Sequence, residues 1–429
     1  MTQQVLQDST QQPASTAVPR RILPVIVLSQ FAATTLWFAV NAVMPDLQQA
    51  WAWPPDAVGR LTSSVQLGFV AGTLVFALLM VADRFSPSKV FMVCAVLGAL
   101  VNAATLGVDG NLAGLLVLRF AVGFLLAGVY PVGMKIAASW YRDGLGAAMG
   151  VLIGALILGT ALPHGLRALA TVLPSASAGV DDDWTSVVAV WSLAPWQAVV
   201  LGVSLLAALG GLLTAWQVPD SPWARRASQA VGGGAPSGLK LGALVLIWRD
   251  RKLRASVFGY FGHMWEIYTC FVLVPLVVGL RFAGATQSAW AFAIIGAGFI
   301  GCAGGGWLAR RHGSARVAQV QLAVSALCCL LAPLMLKAPD ALFLVWLLVW
   351  GVTVSGDSPQ FSALTARNAP QAAVGSVLTL VNCIGFLISV LSIELFTRAL
   401  PHLALAWLLP LLGAGPLLGL WMFRPLLKP

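Results

Sequence analysis

Apolar residues follow one another along most of this chain in long, nearly uninterrupted stretches. About 20 apolar residues are enough for an α-helix to cross the ~30 Å hydrocarbon layer of a membrane. Twelve stretches meet this condition, over residues 22–43, 60–82, 89–108, 112–136, 144–168, 195–217, 255–280, 287–309, 315–336, 341–363, 371–396 and 402–423. The segments between them read as turns, such as MPDLQQAWAWPPD, DRFSPSK and VDGN. The pattern predicts an all-α integral membrane protein with twelve transmembrane helices.

Composition agrees with this pattern. Of the 429 residues, 59% are hydrophobic and 9% are charged, whereas a soluble protein carries roughly 25% charged residues. This excludes an ordinary soluble enzyme, a nucleic-acid-binding protein and a disordered chain. The six cysteines all fall inside predicted spans and are spaced neither for a metal nor for a disulfide, so we expect them to be packing residues.

The distribution of basic residues predicts the orientation, because lysine and arginine are retained on the cytoplasmic side. With the N-terminus inside, nineteen of the 25 basic residues are cytoplasmic. The opposite side has Arg60, Arg167, Arg281, Lys337 and Arg398. The retention of basic residues on the cytoplasmic side therefore explains the net charge of +10, and no nucleic-acid partner is needed to account for it. We expect a multi-pass protein of the inner (plasma) membrane with both termini cytoplasmic and no cleavable signal.

The chain contains an internal repeat. Three residues of the fourth predicted helix match three of the tenth at a constant offset of 228, namely Gly123, Gly128 and Pro131 with Gly351, Gly356 and Pro359. Trp37 and Trp265 are separated by the same offset. Parallel repeats of this kind place a substrate site near the membrane midplane between the two halves.

The repeat and the polar segments together predict the domain organisation. A cytoplasmic tail covers 1–21, a six-helix bundle 22–217 and a cytoplasmic linker 218–253. A second, pseudo-symmetric six-helix bundle covers 254–424, and a short tail covers 425–429.

The loop after the second helix, ADRFSPSK, resembles the signature that the major facilitator superfamily carries between helices two and three. The loop keeps Asp83, Arg84 and Lys89, but has Leu79 and Ser86 where the family usually has glycine. An Asp at the cytoplasmic end of a helix can bond the positive N-terminus of a facing helix and an Arg across the interface between the halves, so we expect a gating motif here. Retention of basic residues on the cytoplasmic side is the alternative, and it would explain Arg84 and Lys89 but not Asp83.

Other segments carry the same resemblance. The second copy, GWLARRHGSAR, keeps Arg311 and Gly313 and has Arg310 at the Asp position. RFAVGFLLAGVYP matches the family's Arg-containing motif through Arg119, and helix five is similar to the antiporter motif but lacks its Gly-Pro pair. Helix seven, GYFGHMWEIY, resembles nitrate/nitrite and cyanate-type uptake relatives. The resemblance covers the whole chain and implies two six-helix bundles that work by alternating access.

Ionisable residues inside spans are costly and are usually functional. Glu266 lies twelve residues beyond Arg254, or ~18 Å along a helix, where burial disfavours a charged carboxyl. It is a candidate to carry a coupling proton, to pair with a cationic substrate or with Arg119, or to bond a broken helix end. His263 and Tyr268 would complete a polar patch around it.

Four further charged or titratable residues leave alternatives open. Arg119 can hold an anionic substrate through its guanidinium fork, control a carboxylate in proton coupling, or form a structural salt bridge. Arg167 and His164 form a positive vestibule if they face the cavity, and otherwise face water. Asp357, in SGDSPQ, is a candidate to cap an interrupted helix, to gate the cytoplasmic side or to bind a cation.

The resemblance also implies which neutral side chains line the cavity, since helices one, four, seven and ten surround it in the family. The candidates are Gln30, Thr34, Asn41, Tyr130 and Asn382. Trp37 and Trp265 are placed to close the cavity from symmetric positions.

The sequence favours a secondary active transporter, proton-coupled, for a small anion or polar metabolite. The alternatives are a drug or metabolite:proton antiporter and a non-transporting receptor with the same fold. Neither a phosphate-binding GxxxxGK[ST] loop nor a GxSxG or HExxH constellation occurs, so we expect no enzyme, no cofactor and no metal. The expected partners are a small-molecule substrate, protons and the lipid bilayer, and the protein is expected to be a monomer.

Overall fold

The computed structural model describes residues 18–141, 145–172, 193–221 and 239–427. These residues form helices and turns without a β-strand, and twelve helical segments are long and apolar enough to cross a membrane. We number them span 1 to span 12: Ile22–Trp51, Ala57–Leu78, Pro87–Gly107, Leu112–Trp140, Gly146–Val172, Pro195–Gln217, Arg251–Gly279, Gly284–His312, Ser314–Met335, Asp340–Asn368, Val374–Ala399 and Leu405–Leu426. The predicted all-α membrane fold is confirmed.

Spans 1 and 7 begin, and spans 6 and 12 end, at one face of the bundle, which we call the terminal face. The other is the far face. Leu23 at the start of span 1 donates its backbone N–H to the hydroxyl of Tyr141 just after span 4, and Ser88 near the start of span 3 donates to the carbonyl of Val218 after span 6. The terminal face is the one that the sequence predicts to be cytoplasmic.

Eleven predicted segments end within five residues of the observed spans, but the first is too short. The prediction ends at residue 43 and treats MPDLQQAWAWPPD as a turn, whereas the helix continues to Trp51 with Pro45 inside it. Hydropathy predicts which residues lie within the membrane, but it does not predict where a helix ends outside the membrane. Trp51 packs against Trp53 and Trp196 beyond the apolar segment, and the helix stops at Ala52, which has a left-handed conformation with φ 49°.

Several spans consist of two helices. Span 1 is interrupted by a 3₁₀ turn over Thr35–Phe38. Span 4 consists of Leu112–Leu126 and Tyr130–Trp140, and span 10 of Asp340–Gly356 and Ser358–Asn368. The second helices of spans 4 and 10 begin at positions separated by the repeat offset, and each has proline as its second residue, where no backbone N–H is needed. The sequence repeat is therefore also a structural repeat.

Glycines allow close packing within each half. Gly123 of span 4 lies against the carbonyl of Val65 in span 2, and Gly351 of span 10 lies against the carbonyl of Ile294 in span 8. A Cβ at either position would overlap that oxygen. These two glycines belong to the repeat, which explains why small residues recur there.

The two halves meet where span 2 packs on span 11 and span 5 on span 8. Gly150 of span 5 lies beside the backbone of Cys302 in span 8, and Gly159 approaches the carbonyl of Phe31 in span 1. The glycines of helix five thus serve its contacts with span 8 and span 1.

Two predicted connections lie largely outside the described residues. These are residues 222–238 of the predicted linker and the segment with three aspartates at 181–183. The described end of the linker forms a short helix, Ala243–Arg249, before span 7. Nearby, the backbone N–H of Lys240 donates to the Ser376 hydroxyl.

Candidate functional site

A cavity lies between the two halves. Span 4 and span 5 line it on one side, and spans 7, 10 and 11 line it on the other. Its volume is about 20 Å³, enough for one water molecule. Its polar lining residues are Tyr130, Tyr260, His263, Tyr268, Ser358 and Asn382. A metabolite cannot enter a space of this size, so binding requires the halves to move apart.

An aromatic cluster closes the cavity on its far-face side. Trp37, which is fully buried, has its ring centroid 4.8 Å from that of Phe69 and 5.5 Å from that of Phe386. It also stacks on Tyr268 at 6.0 Å. The cluster joins spans 1 and 2 to spans 7 and 11. Trp265, the repeat partner of Trp37, lies elsewhere and packs on Gly415 and Phe396.

Further towards the far face, polar contacts cross between the halves. The Ser389 hydroxyl of span 11 donates to Oε1 of Gln66 in span 2 at 2.7 Å. Gly59 of span 2 lies directly against the Thr397 side chain. All four residues are buried, so the structure is closed on this side.

His263 and Asp357 form a buried pair beside the cavity. Nδ1 of His263 lies 2.8 Å from Oδ1 of Asp357, and both side chains are at most 1% exposed. Asp357 occupies the break in span 10, before the helix that starts at Ser358, where the helix dipole favours a negative charge. Its side chain makes no capping hydrogen bond to that helix. Among the described residues, Nε2 of His263 has no partner.

Two neutral candidates also lie at the cavity. Tyr130 lines it from the start of the second helix of span 4. Asn382 accepts a hydrogen bond of 2.9 Å from the Tyr260 hydroxyl. Asn41, in contrast, donates to the Thr62 hydroxyl within the first half, and it is not among the cavity-lining residues.

Arg119 holds the interrupted part of span 1. It is 1% exposed, and its guanidinium donates to the carbonyls of Leu36 and Trp37 at 2.8 and 2.6 Å and to Oδ1 of Asn102 at 3.2 Å. The 3₁₀ turn leaves these carbonyls outside the regular helical pattern, and a cation near a helix C-terminus is favourable. The structure thus gives the Arg119 guanidinium backbone and amide acceptors.

Glu266 lies inside the second half and is not among the residues that line the cavity. Its Oε1 accepts hydrogen bonds from Ser325 at 2.6 Å, Trp350 at 2.7 Å and Cys329 at 3.2 Å. Arg119 joins spans 1, 3 and 4, and Glu266 joins the equivalent spans 7, 9 and 10. The structure does not bring these two residues together. Each half has one buried ionisable side chain at the same junction, basic in the first half and acidic in the second.

Arg167 lies at the far face between the halves. It makes two hydrogen bonds of 2.8 Å to the carboxylate of Asp46 in span 1, and its Nη1 donates to the Ser288 hydroxyl of span 8 at 2.7 Å. His164 is buried one turn away. Arg167 is therefore a polar link between spans 1, 5 and 8.

The predicted gating motif lies at the terminal face. Asp83 pairs with Lys135 of span 4 at 2.5 Å, within its own half. Arg84 and Lys89 are exposed. Arg311 stacks on Trp307 with 4.4 Å between its guanidinium carbon and the ring centroid, and Gly313 ends span 8 with φ 81°. No ion pair among the described residues joins Asp83 to the second half.

Sequence reasoning missed several of these contacts. Asp46 was assigned to a turn, and Gln66, Ser288 and Ser389 are neutral residues without a recognisable pattern. Tyr260 could have been found, because it lies three residues before His263 and is therefore its neighbour on the helix surface.

Two pseudo-symmetric six-span halves with a small polar cavity between them define a membrane protein of the transporter type. The chain belongs to the Major Facilitator Superfamily, whose family model matches residues 26–393. No curated protein matches the sequence.

Solved structures share this fold. The proton:xylose symporter XylE bound to 6-bromo-6-deoxy-D-glucose is 14% identical, with a TM-score of 0.71 and 95% of each chain covered. XylE from E. coli in a partially occluded inward-open conformation is 12% identical, with a TM-score of 0.72 and 95% of this chain and 99% of that chain covered. The transporter FucP in the outward conformation is 15% identical, with a TM-score of 0.64 and 94% and 97% covered. At these identities the likeness concerns the fold.

Proposed function

We propose that this protein is a secondary active transporter that works by alternating access and couples substrate movement to protons through His263 and Asp357. The observation that carries the proposal is the buried pair of these residues beside the cavity, at 2.8 Å. The pair links span 7 to the break in span 10, so a change in its charge acts on both elements.

The physical basis is the cost of net charge in a water-poor interior. A carboxylate with an imidazolium, or a carboxyl with a neutral imidazole, has no net charge. Gain or loss of one proton leaves a net charge, which is expensive unless water or a polar substrate enters. Opening the cavity therefore allows the His263–Asp357 pair to gain or lose a proton. Closing the cavity favours the state in which the pair has no net charge.

The lining favours a small polar metabolite over an anion. Hydroxyl and amide groups of Tyr130, Tyr260 and Asn382 surround the cavity. The two arginines that motivated an anionic substrate have other partners: Arg119 binds carbonyls and Arg167 binds Asp46.

We further propose symport, as XylE is a proton:xylose symporter, with the terminal face in the cytoplasm as the basic residues predict. The boundaries 22–217 and 254–424 remain our proposal for the two bundles. One chain supplies both sides of the cavity, which supports a monomer.

Alternating access is tested by a buried position on the far-face side of the cavity. Gln66 is 0% exposed because span 11 covers it. In Gln66→Cys, we expect a membrane-impermeant thiol reagent added outside intact cells to react with the protein, because the outward-facing state separates spans 2 and 11. The extent of labelling over time is the measurement.

Two controls define the result. The wild type measures the background from its six native cysteines, all of which are buried in this closed structure. Gln49→Cys, at an exposed far-face position, shows that the reagent reaches the protein. An unreactive Gln66→Cys beside a reactive Gln49→Cys would contradict the proposal.

A further inference from the structure

A second cavity opens at the terminal face between the start of span 7 and the end of span 12. Its volume is about 340 Å³. Arg251 and Arg254 line it from span 7, and Arg424 lines it from span 12, with Trp421 beside them. Three arginines from two distant parts of the chain thus line one space, which we call the arginine pocket.

The arginine pocket has an excess of positive charge. Among the described residues, Arg251, Arg254 and Arg424 form no ion pair with a carboxylate. The neighbouring Asp250 accepts a hydrogen bond from the backbone N–H of Leu253 at 2.7 Å, which caps span 7. Arg254 donates to the carbonyl of Trp248 at 2.9 Å, which leaves its other donors available. An anion is the ligand that this charge favours.

The surroundings place the arginine pocket at the level of lipid headgroups. Trp421 is 57% exposed and Trp248 63% exposed, and tryptophan is enriched at the membrane–water interface. The short helix Ala243–Arg249 exposes Val245, and Leu241 just before it is also exposed. These exposed apolar side chains are available to contact lipid at this face.

We propose that the arginine pocket binds the phosphate headgroup of an anionic phospholipid in the leaflet at the terminal face. Arginine forks match phosphate oxygens in pairs, and basic pockets between membrane helices are suited to such headgroups. The exposed apolar side chains beside the pocket would contact the acyl chains. A soluble phosphate would use the arginines but not these side chains.

Topology alone does not account for the arrangement. Retention of basic residues on one side explains why arginines occur near span ends. It does not explain why Arg424 meets Arg251 and Arg254 around a shared cavity, when other exposed basic residues of this face, such as Arg310 and Arg316, are not part of it.

The test measures phosphatidylglycerol binding to the purified full-length protein by native mass spectrometry, with phosphatidylcholine as the neutral reference. The pocket variant is Arg251→Gln/Arg424→Gln. The matched control is Arg310→Gln/Arg316→Gln, which removes the same charge from exposed positions of the same face. An arginine in direct contact with an anionic headgroup contributes about fivefold to the affinity, so the loss of two such contacts in the pocket variant is expected to weaken phosphatidylglycerol binding about 25-fold. The control is expected to bind like the wild type.

Two results would overturn the proposal. Equal losses in both variants would show that overall surface charge attracts the lipid. Displacement of phosphatidylglycerol by millimolar inorganic phosphate would show that the pocket binds a soluble anion and not a lipid. Melting temperatures of both variants establish that they are folded.

Discussion

Asp357→Asn is expected to abolish uphill transport while leaving substrate exchange intact. Asparagine keeps the size of the side chain at the break in span 10, but it cannot take up or release a proton. With one proton per uncharged substrate molecule, a pH difference of two units can support about 100-fold accumulation. In proteoliposomes containing a transported compound, the wild type should approach this ratio and the variant should reach a ratio of about 1.

Glu266→Gln is the matched control for this prediction. It changes a second buried carboxyl, which lies between spans 7, 9 and 10 and does not line the cavity. The amide oxygen can still accept from Ser325 and Trp350, so we expect accumulation to be retained. Accumulation by Asp357→Asn equal to that of the wild type, or its loss in Glu266→Gln alone, would contradict the role proposed for the His263–Asp357 pair.

Arg119→Gln is expected to lower stability more than other single arginine substitutions. The guanidinium satisfies two backbone carbonyls of the 3₁₀ turn and the amide oxygen of Asn102. A buried polar group left without a partner costs about 1–3 kcal/mol, so the variant should lose about 3 kcal/mol or more of folding free energy. Trp37 lies in the same turn, so the aromatic cluster over the cavity should loosen as well.

The melting temperature of the purified protein and its abundance in the membrane measure this effect. Arg119→Lys should be intermediate, because one ammonium group cannot reproduce the fork of donors. Arg60→Gln is the control: Arg60 is exposed and pairs with Asp56 one turn away, an interaction worth about 0–1 kcal/mol. An unchanged melting temperature for Arg119→Gln would show that the turn in span 1 does not depend on it.

Most of the fold follows from the sequence because the membrane imposes a simple length condition on apolar segments. The length condition does not apply to the part of a helix that extends beyond the membrane. Span 1 continues past residue 43 because Leu47 and Trp51 still pack against other helices, although polar residues surround them in the sequence.

The residues of the site are predicted less completely than the fold. The sequence indicates how deep a residue lies in the membrane, but not towards which neighbouring helix its side chain points. Glu266 and His263 lie at similar depths in span 7, but only His263 reaches the cavity. Helical periodicity does not separate them, because residues three apart are neighbours on the helix surface. Packing separates them, since Ser325 and Trp350 of spans 9 and 10 bind Glu266 within the second half.

Partners of buried charges could not be predicted at all from residue types. A guanidinium is ordinarily expected to pair with a carboxylate. Arg119 instead donates to backbone carbonyls of the 3₁₀ turn in span 1, and no sequence motif predicts that turn. Ser288 likewise meets Arg167 only because span 8 packs against span 5. Such contacts depend on packing between distant segments of the chain.

Substrate-driven proton movement tests the central proposal most directly. Proteoliposomes that contain the wild type and an enclosed pH-sensitive dye would be exposed to a panel of polar metabolites and small anions. We predict that at least one compound, from the polar uncharged part of the panel, carries protons inward with it, and that Asp357→Asn removes this signal. Movement of a compound without proton movement in the wild type, or no response to any member of the panel, would contradict the account.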